Sequence, residues 1–220
     1  MNTTGINVWK KGTSSTAASP IVGIDFGTSN SCVAVWSPIE KRVRVIRNQD
    51  EKKLTPSTVL FDTDSFSKAA IGVQCSDTEL PVISGVKSLF GGRSGLDDIK
   101  PIEGSGTGVF CIPCRNTTGQ SKDVDVAEIC SFILRDLIHN AELFLAKNRL
   151  NILPSMTDVS ATDVKACYHI KQAVLGIPAH FNETMKNTLR RAAALAGLEE
   201  VCGVLYMDLC TKFLIALFVI

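Results

Sequence analysis

The segment of residues 21–36, IVGIDFGTSNSCVAVW, constrains the fold more than any other part of the chain. Two runs of β-favouring apolar residues flank a short polar turn that reads Gly-Thr-Ser-Asn. Apolar runs joined by a short turn that contains glycine are typical of a β-hairpin. The sequence therefore predicts a hairpin whose first strand leads into Asp25 and whose second apolar run begins at Cys32.

The predicted turn carries polar groups that suit a phosphate and a divalent cation. Gly27 lets the backbone approach a ligand without a Cβ in the way. The amides and hydroxyls of Thr28, Ser29 and Asn30 can then point at phosphate oxygens. Asp25, at the end of the first strand, is placed to hold Mg²⁺ through water. The residues alone leave an alternative open, an ordinary hairpin with a polar turn, because short glycine motifs often match by chance.

Hydrophobic spacing predicts a long helix over residues 125–148. Asp125 is placed to cap it, and Glu128 three residues later completes a capping box. Its apolar stripe recurs at helical spacing and comprises Val126, Ile129, Ile133, Leu137, Ala141 and Leu145. His139, beside the stripe, is interpreted as a surface residue rather than a ligand.

A buried strand and a second helix are predicted towards the end of the chain. The strand covers residues 173–177 and ends at Pro178. Asn182 is expected to cap the helix that follows, and Gly197 to provide its left-handed stop. Hairpin, irregular segment, helix, strand and helix in this order indicate an α/β fold.

Composition excludes some classes of protein and partner. With 45% apolar and 20% charged residues in 220, the chain is expected to be globular. A net charge of +1 gives no basic surface for nucleic acid. The apolar run of residues 213–220 is too short for a membrane span, so none is expected.

The cysteines indicate a reducing compartment. Eight are scattered without a disulfide framework. Cys111 and Cys114 form one CxxC, for which a metal or redox role and a plain loop or strand pair are the alternatives. Residues 1–19 read as a flexible polar tail without a secretory signal, so a cytoplasmic location is predicted. An organellar location is the alternative, because the first twenty residues lack acids and contain several Ser and Thr.

The hairpin segment resembles the first phosphate-binding hairpin of the 70-kDa heat-shock protein (DnaK-type) chaperones, which belong to the actin-like ATPase superfamily. Three further segments are similar to that family in the same order: NQDEKKLTPSTVLF at residues 48–61, VKSLFGGR at residues 86–93, and IPAHFNETMKNTLRRAAALAGLE at residues 177–199. Residues 99–123 match the family poorly, and the likeness is expected to end at Glu200.

The resemblance implies a fold and a division of the chain. The implied fold is an α/β lobe of the actin-like ATPase (ribonuclease-H-like) type, with a mixed sheet, flanking helices and an inserted small α/β subdomain. Residues 20–220 would form the first lobe, with a core of 20–54 and 123–220 and an insertion of 55–122. The second lobe and the peptide-binding domain are expected to be absent, so the chain is interpreted as truncated.

The resemblance also implies ATP or ADP with Mg²⁺ as ligand, bound through Asp25, Gly27, Thr28, Ser29 and Asn30. The family clamps the phosphates between two hairpins, and the second, of Asp-Leu-Gly-Gly-Gly-Thr type, does not occur in this chain. Half a clamp open to solvent gains little from desolvation, so weak binding is expected.

Two positions that the family uses for hydrolysis differ in this chain. The catalytic lysine, four residues after the glycine equivalent to Gly72, is replaced by Ser76. Lys68 and Lys87 are the nearest lysines, but only Lys87 has a family counterpart, and that counterpart is not the catalytic one. The family segment with the glutamate that positions the attacking water has no match after Glu200. No catalytic residue is assigned, and poor hydrolysis is expected.

Pro178 matches the family proline that couples the lobes, and Arg190 and Arg191 are candidates for contact with J-domain cochaperones. The alternative for the two arginines is a solvated basic helix face. Two further functions stay open: a non-catalytic module that binds J-domain cochaperones, nucleotide-exchange factors or full-length chaperones, and a degenerate gene product.

Overall fold

The computed structural model describes residues 20–37, 40–62, 64–65, 67–73, 82–91, 100–101, 110–116, 118–149, 169–178 and 180–206. The predicted tail of residues 1–19, Ser76, and the C-terminal run of residues 213–220 lie outside these ranges. The strands are β1 (Ile21–Asp25), β2 (Asn30–Ser37), β3 (Arg42–Val45), β4 (Thr55–Pro56), β5 (Val59–Asp62), β6 (Ser67–Ile71), β7 (Val82–Ile83), β8 (Lys100–Pro101), β9 (Phe110–Arg115), β10 (Ser121–Asp125), β11 (Gln172–Ile177) and β12 (Glu200–Tyr206).

The helices lie where their spacing predicts them. They are α1 (Val126–Arg149) and α2 (Glu183–Leu195), and a short 3-10 helix covers Val86–Gly91. The cap of α1 is confirmed, since the Asp125 carboxylate accepts the Ala127 N–H at 2.9 Å. Asn182 caps α2 by accepting the Met185 N–H at 2.9 Å, and such a cap contributes about 1 kcal/mol.

The main sheet has the strand order β12-β11-β1-β2-β3, and β4 pairs with β2. β1 runs parallel to β11, and β11 runs parallel to β12. β2 runs antiparallel to both of its neighbours. The two parallel strands β11 and β12 are connected through α2, as parallel neighbours require a crossover. The predicted mixed α/β sheet is therefore confirmed.

Alternation along β1 and β2 gives the main sheet two buried faces. Val22 and Ile24 of β1 join Val33 and Val35 of β2 in the larger core cluster, which also contains the buried stripe of α1. The intervening residues of β2 point to the opposite face, where a small cluster contains Cys32, Ala34 and Val174. Successive side chains of a β-strand point to opposite faces of the sheet, which explains this alternation.

Two small three-stranded sheets accompany the main sheet, with the orders β6-β5-β7 and β10-β9-β8. Their strands come from residues 59–83 and 100–125. Most of these positions lie inside the predicted insertion of residues 55–122, but β10 crosses its C-terminal boundary. The division into a core and an insertion stays a prediction.

The left-handed stop of α2 is confirmed. Gly197 has φ +97°, a conformation that glycine adopts without steric cost. The N–H of Leu198 returns to the Ala193 carbonyl at 3.0 Å, and the N–H of Gly197 to the Ala194 carbonyl at 3.0 Å. The chain then enters β12 directly, so this turn sets where the outermost parallel strand begins.

Candidate functional site

The predicted hairpin is formed by β1 and β2, which pair with Asp25 opposite Cys32. The polar turn lies between the two strands. Thr28, Ser29 and Asn30 are exposed, whereas Asp25 is half-buried. The structure thus brings the predicted site residues together at one end of the main sheet, with the side chains of Thr28, Ser29 and Asn30 at the surface.

Gly27 makes the turn tight. A Cβ built on this residue would lie 2.0 Å from the carbonyl oxygen of Asn30. No real side chain tolerates that distance, so the turn has room for glycine only. The Gly27 N–H donates to the Ser31 hydroxyl at 3.2 Å, which fixes the backbone of the turn from one side.

Hydrogen bonds from a second segment, residues 55–57, also hold the turn in place. The hydroxyls of Ser31 and Ser57 are hydrogen-bonded at 2.8 Å in a buried position. The Ser57 N–H donates to the Ser29 carbonyl at 2.8 Å, and β4, just before it, pairs with β2. Residues 55–57 belong to the segment 48–61 that resembles the family, but the resemblance predicted no role for them.

A buried lysine lies beneath the turn. Lys87, in the 3-10 helix, is only 8% exposed. Its ammonium group donates to the carbonyl oxygen of Phe26 at 2.5 Å. The sequence alone predicted no function for Lys87. The sequence signal that could have found it is a single lysine in a short segment whose apolar residues, Val86, Leu89 and Phe90, are all buried.

Asp25 and Lys87 influence each other's charge. Burial raises the pKa of Asp25 above its usual value, and the positive charge of Lys87 partly opposes that rise. Burial lowers the pKa of Lys87, and the charge of Asp25 opposes it in turn. Each group therefore favours the ionised form of the other, as expected for opposite charges in a partly desolvated site.

The groups at the turn fit a magnesium-bound phosphate. Exposed hydroxyls, an amide side chain and backbone N–H groups surround a glycine that leaves no Cβ in the way. Mg²⁺ is usually held by one or two carboxylates together with phosphate oxygens and water. Asp25 is a single carboxylate beside the turn, and no cluster of three or more metal-ligating side chains is found among the described residues.

The candidate partner-contact residues have different surroundings. Arg190 is exposed and pairs with Glu183 at 3.6 Å. Arg191 instead forms an ion pair with Asp125, the residue that caps α1. The carbonyl of Pro178 accepts the Phe181 N–H at 3.1 Å, just before α2 begins. Arg191 therefore links α2 to the N-terminal cap of α1, whereas Arg190 lies at the surface.

A separate cavity of about 710 Å³ lies away from the hairpin, and His139, Glu142 and His169 are among its lining residues. Glu142 accepts the Ile170 N–H at 2.9 Å and lies 3.5 Å from His169 Nδ1. The buried carboxylate thereby fixes the chain just before β11. His139 is half-buried on this cavity rather than fully at the surface.

The CxxC motif lies within a single strand, since Cys111 and Cys114 both belong to β9. Strand positions three residues apart are separated by about 10 Å, which is beyond the reach of a disulfide. Cys111 is a buried free thiol whose pKa is raised by burial to about 11. Of the alternatives for the CxxC motif, the backbone therefore supports part of a strand rather than a metal or redox site.

Comparison with known proteins identifies the family. The family model described as Hsp70 protein matches residues 21–204. The chain belongs to the Hsp70 family. The match includes both strands of the hairpin and reaches into β12. The likeness therefore continues past Glu200, and the prediction that it ends there was wrong. The ATPase domain of this family is actin-like, which agrees with the mixed α/β sheet.

Curated relatives are similar over most of this chain. A "Heat shock 70 kDa protein, mitochondrial" from Solanum tuberosum is 29% identical over 196 residues, covering 83% of this chain and 24% of the relative. A "Chaperone protein HscA homolog" from Rickettsia akari is 27% identical, covering 81% of this chain and 25% of the relative. A "Heat shock 70 kDa protein" from Emericella nidulans is 27% identical with the same coverage. The chain spans about a quarter of the length of these relatives.

None of the helices in the described part of the chain is both long enough and apolar enough to cross a membrane.

Proposed function

We propose that this Hsp70-family chain binds ATP or ADP together with Mg²⁺ through the turn between β1 and β2. The observation that carries the proposal is the turn at Gly27, where a Cβ would lie 2.0 Å from the Asn30 carbonyl. A backbone this closely folded, with exposed polar residues following it, suits an anion that must approach the main chain.

Each residue of the turn has a distinct role in this proposal. Gly27 provides clearance, and Thr28 and Ser29 donate hydroxyl or backbone hydrogen bonds to phosphate oxygens. Asn30 adds an amide donor at the start of β2. Asp25 orients water on the Mg²⁺ ion that accompanies the nucleotide, since a carboxylate is a ligand that Mg²⁺ prefers.

Hydrolysis by this chain is proposed to be poor. A cation near the transferring phosphoryl group stabilises charge in the transition state. By resemblance, the position of that cation is occupied by Ser76, and serine supplies no positive charge. The proposed role is therefore nucleotide binding within a chaperone system, with J-domain cochaperones, nucleotide-exchange factors or full-length chaperones as partners. Cytoplasmic and organellar locations stay alternative predictions.

Calorimetry with Mg²⁺–ATP tests the binding proposal. The purified chain is compared with Asp25→Asn, which removes the carboxylate charge, and with Asp123→Asn, which removes an exposed carboxylate from β10. We expect weak binding by the unmodified chain and by Asp123→Asn, and none by Asp25→Asn. Absence of binding by the folded, unmodified chain would overturn the proposal, and binding in the low micromolar range would contradict the expected weakness.

A second candidate function, a non-catalytic interaction module, is favoured by the exposure of Arg190. The side chain is 52% exposed and lies on α2, the helix that follows Pro178. Binding of a purified J-domain to the chain can be measured by surface plasmon resonance. We expect Arg190→Ala to weaken it and Arg42→Ala, an exposed arginine on β3, to leave it unchanged. Equal binding by both variants would exclude Arg190 as a contact residue.

A further inference from the structure

Two buried serine hydroxyls meet behind the β1–β2 turn. Ser31, near the start of β2, and Ser57, just after β4, are each only 1% exposed, and their Oγ atoms are 2.8 Å apart. A buried hydroxyl is costly unless it is hydrogen-bonded, and an alanine at either position would avoid that cost. The pair therefore needs a reason beyond filling space, and its hydrogen-bond partners provide one.

The Ser31 hydroxyl is the middle member of a chain of hydrogen bonds that reaches the start of the turn. It accepts the N–H of Gly27 at 3.2 Å and is also bonded to the Ser57 hydroxyl. A hydroxyl offers one donor and two acceptor lone pairs, so Ser31 can make both bonds at once. The Ser57 hydroxyl thereby restricts the rotation of the Ser31 side chain, and Ser31 in turn fixes the Gly27 N–H.

The backbone of Ser57 holds the tip of the same turn. Its N–H donates to the Ser29 carbonyl at 2.8 Å. In the trans peptide between Ser29 and Asn30, the carbonyl and the N–H point in opposite directions. Because the carbonyl is directed at Ser57, the Asn30 N–H points away from residues 55–57. Ser57 thus sets the direction of a backbone donor at the tip of the turn as well as that of the Gly27 N–H at its start.

The segment that contains Ser57 is itself held by contacts outside the turn. On one side of it, the buried Thr55 hydroxyl accepts a hydrogen bond from the Asn48 amide at 3.3 Å. On the other side, the Thr58 carbonyl accepts the N–H of Gly72 at 3.0 Å. The position of Ser57 is therefore set independently of the turn, and the turn has to conform to it.

We propose that Ser57 is a positioning residue of the β1–β2 turn, which it holds at the start and at the tip in the conformation that receives phosphate oxygens. This role rests on the proposed nucleotide binding. Ser57 is buried behind the turn, so it acts through Ser31 and Ser29 rather than by touching the ligand. A turn that is ordered before the ligand arrives loses less conformational entropy on binding, which raises the affinity.

Amide hydrogen exchange measured by NMR without nucleotide tests the positioning. Ser57→Ala removes the hydroxyl and keeps the backbone N–H. We expect the Gly27 amide to exchange at least about tenfold faster in Ser57→Ala, while amides in the centre of α1 are unchanged. Ser131→Ala is the matched control, because Ser131 is also 1% exposed and its hydroxyl donates to the Glu128 carbonyl within α1. An unchanged Gly27 amide in Ser57→Ala, or equal acceleration in Ser131→Ala, would overturn the proposal.

Calorimetry with Mg²⁺–ATP tests the consequence for binding. We expect Ser57→Ala to bind at least about fivefold more weakly than the unmodified chain, and Ser131→Ala to bind as the unmodified chain does, although each variant loses one buried hydrogen bond. Equal affinity of Ser57→Ala and the unmodified chain would overturn the proposal. If the unmodified chain binds no nucleotide, the proposed function and the link to phosphate fail together, while exchange of the Gly27 amide still decides whether Ser57 holds the turn.

A second variant, Ser31→Ala, covers the case in which Ser57→Ala does not fold. It breaks the same chain of hydrogen bonds at its middle member, so it carries the same two tests. With both single variants folded, we expect the double variant to bind nucleotide no more weakly than Ser31→Ala alone, because the Ser57 hydroxyl reaches the turn through Ser31. Losses of affinity that simply multiply in the double variant would show two independent effects and would overturn the proposal.

Discussion

At the scale of single residues, the candidate site depends on close contacts that tolerate little change. The Phe26–Gly27 peptide is held by Lys87 on one side and by Ser31 on the other. The sequence indicated the polar residues of the turn, because a glycine between apolar runs is a local signal. Lys87 and Ser57, which also hold the turn in place, come from distant segments, and their partners cannot be read from the sequence around them.

Substitution of Gly27 tests how tight the turn is. In Gly27→Ala the added methyl group would lie 2.0 Å from the Asn30 carbonyl, so the backbone of the turn must move. We expect a loss of stability of about 2 kcal/mol or more, measured by urea denaturation, and loss of Mg²⁺–ATP binding.

Gly119→Ala is the matched control for that experiment. Gly119 has φ +83°, but a Cβ there meets nothing within 4 Å. The variant therefore suffers the backbone strain of a positive φ, about 1 kcal/mol, without a collision. Binding of nucleotide by Gly27→Ala at the level of Gly119→Ala would contradict the role assigned to Gly27.

At the scale of elements, the two long helices formed where their spacing and caps predict them. The residues of the predicted stripe on α1 are all buried, from Val126 near its start to Leu145 near its end. Caps and periodicity act within a few residues of the chain, so they can be recognised before the fold is known. The pairing of Arg191 with Asp125 could not be recognised, because it joins α2 to the cap of α1.

The first turn of α2 should respond to pH through Glu183. Hydrogen bonding to Lys186 and the charges of Lys186 and Arg190 hold the pKa of Glu183 below its ordinary 4.5. A carboxylate with a lowered pKa in the folded state stabilises the protein above the unfolded value and loses this effect as the pH falls through the folded value.

Glu183→Gln should therefore lower the melting temperature at about pH 7 and leave it unchanged at about pH 2, where the carboxylate is protonated in both states. Differential scanning calorimetry across this range gives the comparison. Glu51→Gln, an exposed glutamate in a turn outside the helices, is the control. A difference between Glu183→Gln and the unmodified chain that stays constant with pH would contradict the electrostatic explanation.

At the scale of the whole molecule, the main sheet is covered on both faces. Cys130 of α1 is completely buried in the cluster on one face, and Cys32 of β2 is buried in the cluster on the other. Burial raises the pKa of Cys32 to about 11, with the charge of Asp25 adding to the effect, and raises the pKa of Cys130 well above its ordinary value.

Thiol labelling tests this coverage. Because the thiolate is the reactive form, Cys32 and Cys130 should react slowly with iodoacetamide at about pH 8 in the folded chain and rapidly in urea. Peptide mapping by mass spectrometry reports each cysteine separately. Fast labelling of Cys32 but not of Cys130 in the folded chain would mean that the face with Val174 is open to solvent.

Local patterns in the sequence determined the hairpin, the two helices with their caps, the α/β class and the residues at the tip of the turn. These features follow from interactions between residues close in the chain, such as strand alternation, helical spacing and capping. Residues 74–80, which include Ser76, lie outside the described ranges, so the interpretation of that position stays a prediction.

Only the tertiary structure decided what supports the candidate site. Lys87 reaches Phe26 across 61 positions of the chain, Ser57 reaches Ser31 across 26, and Arg191 reaches Asp125 across 66. A lysine, a serine or an arginine has many possible partners at such separations, and composition or periodicity does not select among them. The selection is made when the sheet and helices pack, because burial makes an unsatisfied polar group costly and leaves few partners within reach.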